Sequence, residues 1–171
     1  MKHTQVKKLS IAALLLAMNI IMSMPMFSIP VPGGHMYLND VVICTAAILL
    51  DPLYAVIVGG VGAFLGDMLF YPPPMFVSLF AHGLQALVIS LCTRRLLKGH
   101  ESAGSIVGAI AGLLVSVVLY TLGRAYVYST PAYAVAKFPF QILQTLVGSA
   151  AALLLCWKCG IVKIYRKMFR E

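Results

Sequence analysis

Eight ionisable or amide side chains interrupt otherwise apolar runs at spacings that suit the recognition of a small polar molecule. Asp67 lies in "GAFLGDML", His82 and Gln85 stand three apart in "FAHGLQAL", and Gln141 and Gln144 three apart in "FQILQTL". Helical residues three apart share a face, so each pair offers two hydrogen-bonding groups to one side. Asp40, with Asn39 before it, opens "NDVVICTAAILL", and Asn19 sits further back in "LAMNIIM". Polar groups of this kind are costly among apolar neighbours, and in a membrane segment they mark binding sites and transport paths by default.

Mixed donors and acceptors suit capture of a neutral or zwitterionic heterocycle better than bond-breaking chemistry. No G-x-x-x-x-G-K-[ST] is present to cradle nucleotide phosphates, and there is no H-E-x-x-H or serine–histidine pairing. "FLGD" resembles the G-x-G-D of intramembrane aspartyl proteases, but position 64 is Phe. "CWKC" is a single C-x-x-C beside a tryptophan, as fits cysteines and an aromatic anchor at a membrane interface. Catalysis, a metal and a cofactor are not expected. Each polar residue also has a plainer structural use. Asn39 or Asp40 could cap the helix that follows, Asp67 could bond a neighbouring helix, and His82 could be a satisfied interior histidine. The glutamines could tie helices together.

The elements that position these groups follow from composition. The chain has 171 residues, 61% hydrophobic and 11% charged, against about 45–50% and about 25% in ordinary globular domains. It reads as an all-α integral membrane protein forming one domain over residues 1–171. Six apolar runs, at approximately 9–28, 38–51, 53–70, 75–95, 104–122 and 136–157, are punctuated by Pro30 and Pro32, Asp51-Pro52, "YPPP", "KGHE" and Pro131. On a six-span model eleven Lys and Arg fall on one side, and only Arg124 and Lys137 on the other. That asymmetry predicts cytoplasmic N and C termini.

The net charge of +8 does not imply nucleic acid, because the basic residues flank apolar runs. The tail "KIYRKMFR" suits contact with anionic membrane lipid. Arg124 and Lys137 are expected on a solvated outer rim. Tyr37, Tyr126, Tyr128 and Tyr133 read as interface-belt aromatics, any one of them able to stack on a ring-shaped ligand.

The second run is short: at 1.5 Å per residue it reaches about 21 Å, against roughly 30 Å of hydrocarbon. Its shortfall falls on the outer side, where "GGHMYLND" (residues 33–40) lies. Non-helical backbone at membrane depth is tolerated when buried in protein or lining a wet cavity. Polar residues concentrate in the outer halves of the spans, as a site filled from outside requires.

These features together resemble a known family. The basic N-terminus, the first helix with Ala13 and Ala17 as A-x-x-x-A, "YLNDVVICTAAILLDPLYAVIVGGVGAFLGDML" and "YPPPMFVSLFAHGLQALV" look like the substrate-binding S component of an energy-coupling factor (ECF) transporter, of the riboflavin or hydroxymethylpyrimidine type. Many relatives have Gly-Asp where this chain has Asn39-Asp40, and Lys where it has His82. The resemblance implies a multi-pass protein of the bacterial plasma membrane that binds a vitamin-like small molecule. It also implies a membrane coupling subunit and two cytoplasmic ATPase subunits as partners. "GGHMYLND" would then be lid and pocket wall together, giving His35, Tyr37, Asn39 and Asp40 to the substrate along with Asn19, Asp67, His82, Gln85, Gln141 and Gln144. Ala13 and Ala17 would meet the coupling subunit. A B6 vitamer or hydroxymethylpyrimidine is the first expectation for the ligand.

Overall fold

The computed structural model describes residues 2–31, 34–97 and 99–169; Gly33 and Lys98 lie outside them. Helix α1 (Lys2–Met22) leads through a 3-10 turn (Pro25–Phe27) into a short antiparallel hairpin, β1 (Ser28–Val31) and β2 (Gly34–Tyr37). Helices α2 (Asn39–Leu49), α3 (Pro52–Phe70), α4 (Met75–Leu96), α5 (Glu101–Tyr128), α6 (Pro131–Lys158) and α7 (Ile161–Met168) follow. Five helices (α1 and α3 to α6) are long and apolar enough to cross a membrane, and α2 is a shorter apolar helix. The protein is an all-α membrane protein apart from the hairpin.

The first expected span is corrected at its end. Its apolar character runs on to residue 28, but the helix stops at Met22. Pro25 has no N–H to donate, and the residue before a proline is pushed away from helical angles; Met24 is accordingly extended. The hairpin was not expected as a strand pair. Pro30 is tolerated because β1 pairs only with β2, so its missing donor costs the outer edge nothing. α5 and α6 also run beyond their expected ends, each closing in a π-helical turn, at Arg124–Tyr128 and Leu154–Lys158.

Helix α2 is the axis of the bundle. Ten of its eleven residues are buried, so it is surrounded by protein and has no need to match the bilayer. Ile43, Ala46, Ala47 and Leu50 are fully enclosed, packed with Ala55 and Val58 of α3, Ala86 and Ile89 of α4 and Ala152 of α6. Small residues bring the helices close, as in other membrane bundles. A Cβ on Gly148 of α6 would lie 2.4 Å from the Asp40 Cβ, so any side chain there would force α6 off α2. On α3, Gly62 likewise faces Asn19 of α1, and Gly66 faces Ser23 just after α1 ends.

Helix α3 contains a π-helical turn, Ile57–Val61. Asn19 donates its side-chain N–H to the Val58 carbonyl there (2.7 Å). The first turns of α1 and the end of α7 meet at the end of the bundle opposite the hairpin. There Lys8 bonds Asp51 (2.5 Å), Arg166 bonds Glu101 (2.5 Å), and Arg94 donates to the carbonyls of Leu49 (2.7 Å) and Leu50 (3.2 Å). A cation on the last carbonyls of a helix satisfies orphan acceptors and complements the helix dipole.

Candidate functional site

At the hairpin end the helices enclose a partly open cavity of about 150 Å³. Seven of its lining residues come from five elements: His35 and Tyr37 of β2, Asn39 of α2, Asp67 of α3, His82 of α4, and Gln141 and Gln144 of α6. All seven are sequence candidates. Tyr71, Pro74, Tyr120, Arg124, Tyr128, Tyr133 and Lys137 complete the wall.

Asp40 sits immediately behind this wall, fully buried, in the first turn of α2, where the positive end of the helix dipole favours an anion. It is not a cap: Leu38 holds the cap position, with no side-chain bond. Its Oδ1 accepts from Gln85 Nε2 (3.0 Å) and its Oδ2 from Gln144 Nε2 (2.9 Å). This fixes the rest of the network. With Nε2 donating to Asp40, Gln85 Oε1 is an acceptor, so His82 Nδ1, 2.8 Å away, carries the hydrogen. In the neutral ring Nε2 is then left as an acceptor. Gln144 Oε1 accepts the Tyr37 backbone N–H (3.1 Å), which ties the hairpin to α6. Lys137 makes a second tie by donating to the His35 carbonyl (2.9 Å).

The opposite wall is held just as closely. Ser78 donates to the Asp67 carboxylate and is bonded to the Tyr120 hydroxyl (2.6 Å). The Tyr120 ring meets the His82 ring edge-on, with centroids 5.2 Å apart, and carries the Arg124 guanidinium 5.1 Å from its own centroid, a cation–π arrangement. Arg124 donates to Gln141 Oε1 (2.6 Å). Burial first, and the Asp67 charge after it, push the Tyr37 phenol above its ordinary range. That side chain therefore stays a neutral hydrogen-bonding group.

Three placements differ from expectation. Asn19 does not line the cavity; its amide N–H is turned to the π-helical turn of α3. Arg124 and Lys137 are not on a solvated rim: they are 7% and 4% exposed and face the cavity. Asp40 and Gln85 are brought to the site as supports of its lining, not as lining. Ala13 and Ala17 are exposed on α1, away from the cavity. Among the described residues no group of His, Cys, Asp and Glu could hold a metal.

Comparison with known proteins gives one answer. Residues 3–160 match the family model for the ECF-type riboflavin transporter, S component. A Lactococcus lactis protein named thiamine precursor transporter HmpT is 30% identical over 174 residues, covering 98% of each chain. An uncharacterised Pyrococcus woesei protein is 34% identical over 123 residues, 70% of this chain and 80% of that one. A solved chain described as the S component of a bacterial ECF transporter has the same fold, with a TM-score of 0.68 at 21% identity, over 92% of this chain and 98% of that one. The matched family, the Lactococcus lactis relative and the solved chain are transporter components and not enzymes, and each of these matches extends over almost all of the sequence. The chain belongs to the ECF-type riboflavin transporter S component family.

Proposed function

We propose that this protein captures a single-ring heterocyclic vitamin or vitamin precursor from outside the cell, for an ATP-driven ECF importer of the bacterial plasma membrane. The observation that carries the reading is the cavity itself. At about 150 Å³ it is roughly half the lower end of the usual range for drug-sized ligands, about 300 Å³. That volume suits one ring and is tight for the three fused rings of riboflavin. Its wall offers donors and acceptors on every side, and such a wall rejects analogues that leave its buried groups unpaired. A B6 vitamer or hydroxymethylpyrimidine fits this description, in keeping with the thiamine precursor named for the Lactococcus lactis relative.

In this reading the hairpin is the lid. Entry and release part the ties at His35 and Tyr37, while the Asp40 network keeps the floor of the cavity in place. The chain crosses the membrane six times with both termini cytoplasmic, and a membrane coupling subunit and two cytoplasmic ATPase subunits supply the energy. Cysteines introduced near 34 or 130 in sealed cells should then react with an impermeant reagent from outside, while one near 101 should not; the reverse pattern would overturn the topology.

The direct test of function is mass spectrometry of small molecules retained by the purified protein, followed by binding without ATP. Asp67→Ala and His82→Ala should each weaken binding at least tenfold, about 1.4 kcal/mol, while the variants still purify as folded protein. Unchanged affinity in both would return these residues to a structural role. Co-purification with ATPase subunits separates an importer subunit from a stand-alone carrier or channel.

A further inference from the structure

The cavity carries a charge asymmetry that bears on what its ligand is. Arg124 is buried, and only one of its terminal nitrogens is engaged by a side chain, Gln141; Nη1 is buried with no partner. The Lys137 ammonium has a neutral partner, the His35 carbonyl. Among the described residues neither cation forms an ion pair, since the pairs present join Lys8 and Arg94 to Asp51, His82 to Asp40, and Arg166 to Glu101. Asp67 is engaged by Ser78 on another wall, and Asp40 lies behind the lining, held by two glutamine amides. Both cations therefore face the same cavity with neutral partners among the described residues, and buried charge without a counter-charge is strongly unfavourable.

We propose, resting on the reading of this cavity as the substrate site, that the ligand presents an anionic oxygen to Arg124 and Lys137 and turns its proton-bearing edge towards Asp67. The oxygen belongs to a phenolate or a carboxylate on a single ring. Of the two first expectations, this favours the 3-hydroxypyridine of a B6 vitamer, whose ring at neutral pH pairs a phenolate with a protonated nitrogen. Hydroxymethylpyrimidine has no anionic oxygen to offer. Arginine suits the task because its fork of N–H groups matches an oxyanion and keeps its charge when buried.

Matched probes test this in the purified protein. Pyridoxine is compared with its 3-O-methyl ether, which cannot form the phenolate, and nicotinate with nicotinamide; hydroxymethylpyrimidine is the neutral reference. The result expected is that at least one anionic probe binds at least tenfold more tightly than its neutral counterpart and than hydroxymethylpyrimidine. The two pairs tell phenolate from carboxylate. Arg124→Gln and Lys137→Gln should each remove most of that preference, and Arg124→Lys should restore part of it. Lys137→Gln keeps the comparison clean if loss of Arg124 disturbs folding, because among the described residues Lys137 bonds a main-chain carbonyl and no side chain. Hydroxymethylpyrimidine or another neutral probe binding as tightly as the anionic ones, with no response to either glutamine variant, overturns the inference and leaves the functional reading standing. No binding by any probe, with no small molecule retained on purification, overturns both.

Discussion

Ala13→Trp combined with Ala17→Trp is expected to abolish uptake, by about 100-fold or more, while the isolated protein binds its ligand normally. The two alanines lie four residues apart on one face of α1, and both are exposed, whereas Ala12 and Leu15 on the adjoining face are buried in the bundle. An alanine ridge turned away from its own core leaves room for another backbone, and close van der Waals packing is what drives helix association in lipid. Two indole rings would hold a partner helix away without touching the cavity. The measurements are ligand affinity of the purified variant, co-purification with the coupling module, and ATP-driven uptake. Loss of ligand affinity as severe as the loss of uptake would show that the ridge packs within the protein after all.

Asp40→Ala should have the largest effect on the protein itself. The substitution takes the carboxylate acceptor from the buried Gln144 amide and leaves the Gln85 amide only the weak Cys44 sulfur, an unmet buried donor costing about 1–3 kcal/mol, and it frees the chain of bonds that orients His82 and holds down Tyr37. At roughly 2–4 °C per kcal/mol for a chain of this size, the apparent Tm in detergent should fall by at least about 5 °C, and ligand affinity should fall with it. Asp40→Asn keeps one acceptor and should lie between. A thermal midpoint for Asp40→Ala within about 1 °C of the parent would mean that the network is ornamental.

Much of this architecture is legible before any coordinates. Prolines and Asp51 mark where apolar runs must break, and a histidine, an aspartate or a glutamine stands out in a membrane span because it is expensive there. Seven of the ten substrate candidates accordingly line the cavity: His35, Tyr37, Asn39, Asp67, His82, Gln141 and Gln144. What could not be read depends on where helices end and what lies beside them. The apolar run of α5 fades after Leu122, yet the helix continues through a π-helical turn to Tyr128, and that extension carries Arg124 inside. Lys137 looks like a rim residue until the hairpin is placed over it. Tyr120 is one more aromatic in an apolar helix until its ring is seen between His82 and Arg124. Asn19 errs the other way: polarity in a span reveals that a residue has a partner, but not whether the partner is a ligand or a neighbour's carbonyl.

The π-helical turn at Ile57–Val61 has a consequence for comparing this protein with its relatives. A π turn holds one residue more than the α-helix it interrupts, and one residue is about 100° of helical rotation. Everything after it on α3, including Asp67, therefore points where it does because of an extra residue some distance earlier. A relative that lacked that residue could keep Gly66-Asp67 letter for letter and still turn its carboxylate to another face, with a different pocket behind an identical motif. In such a helix the gaps in an alignment carry as much chemistry as the letters.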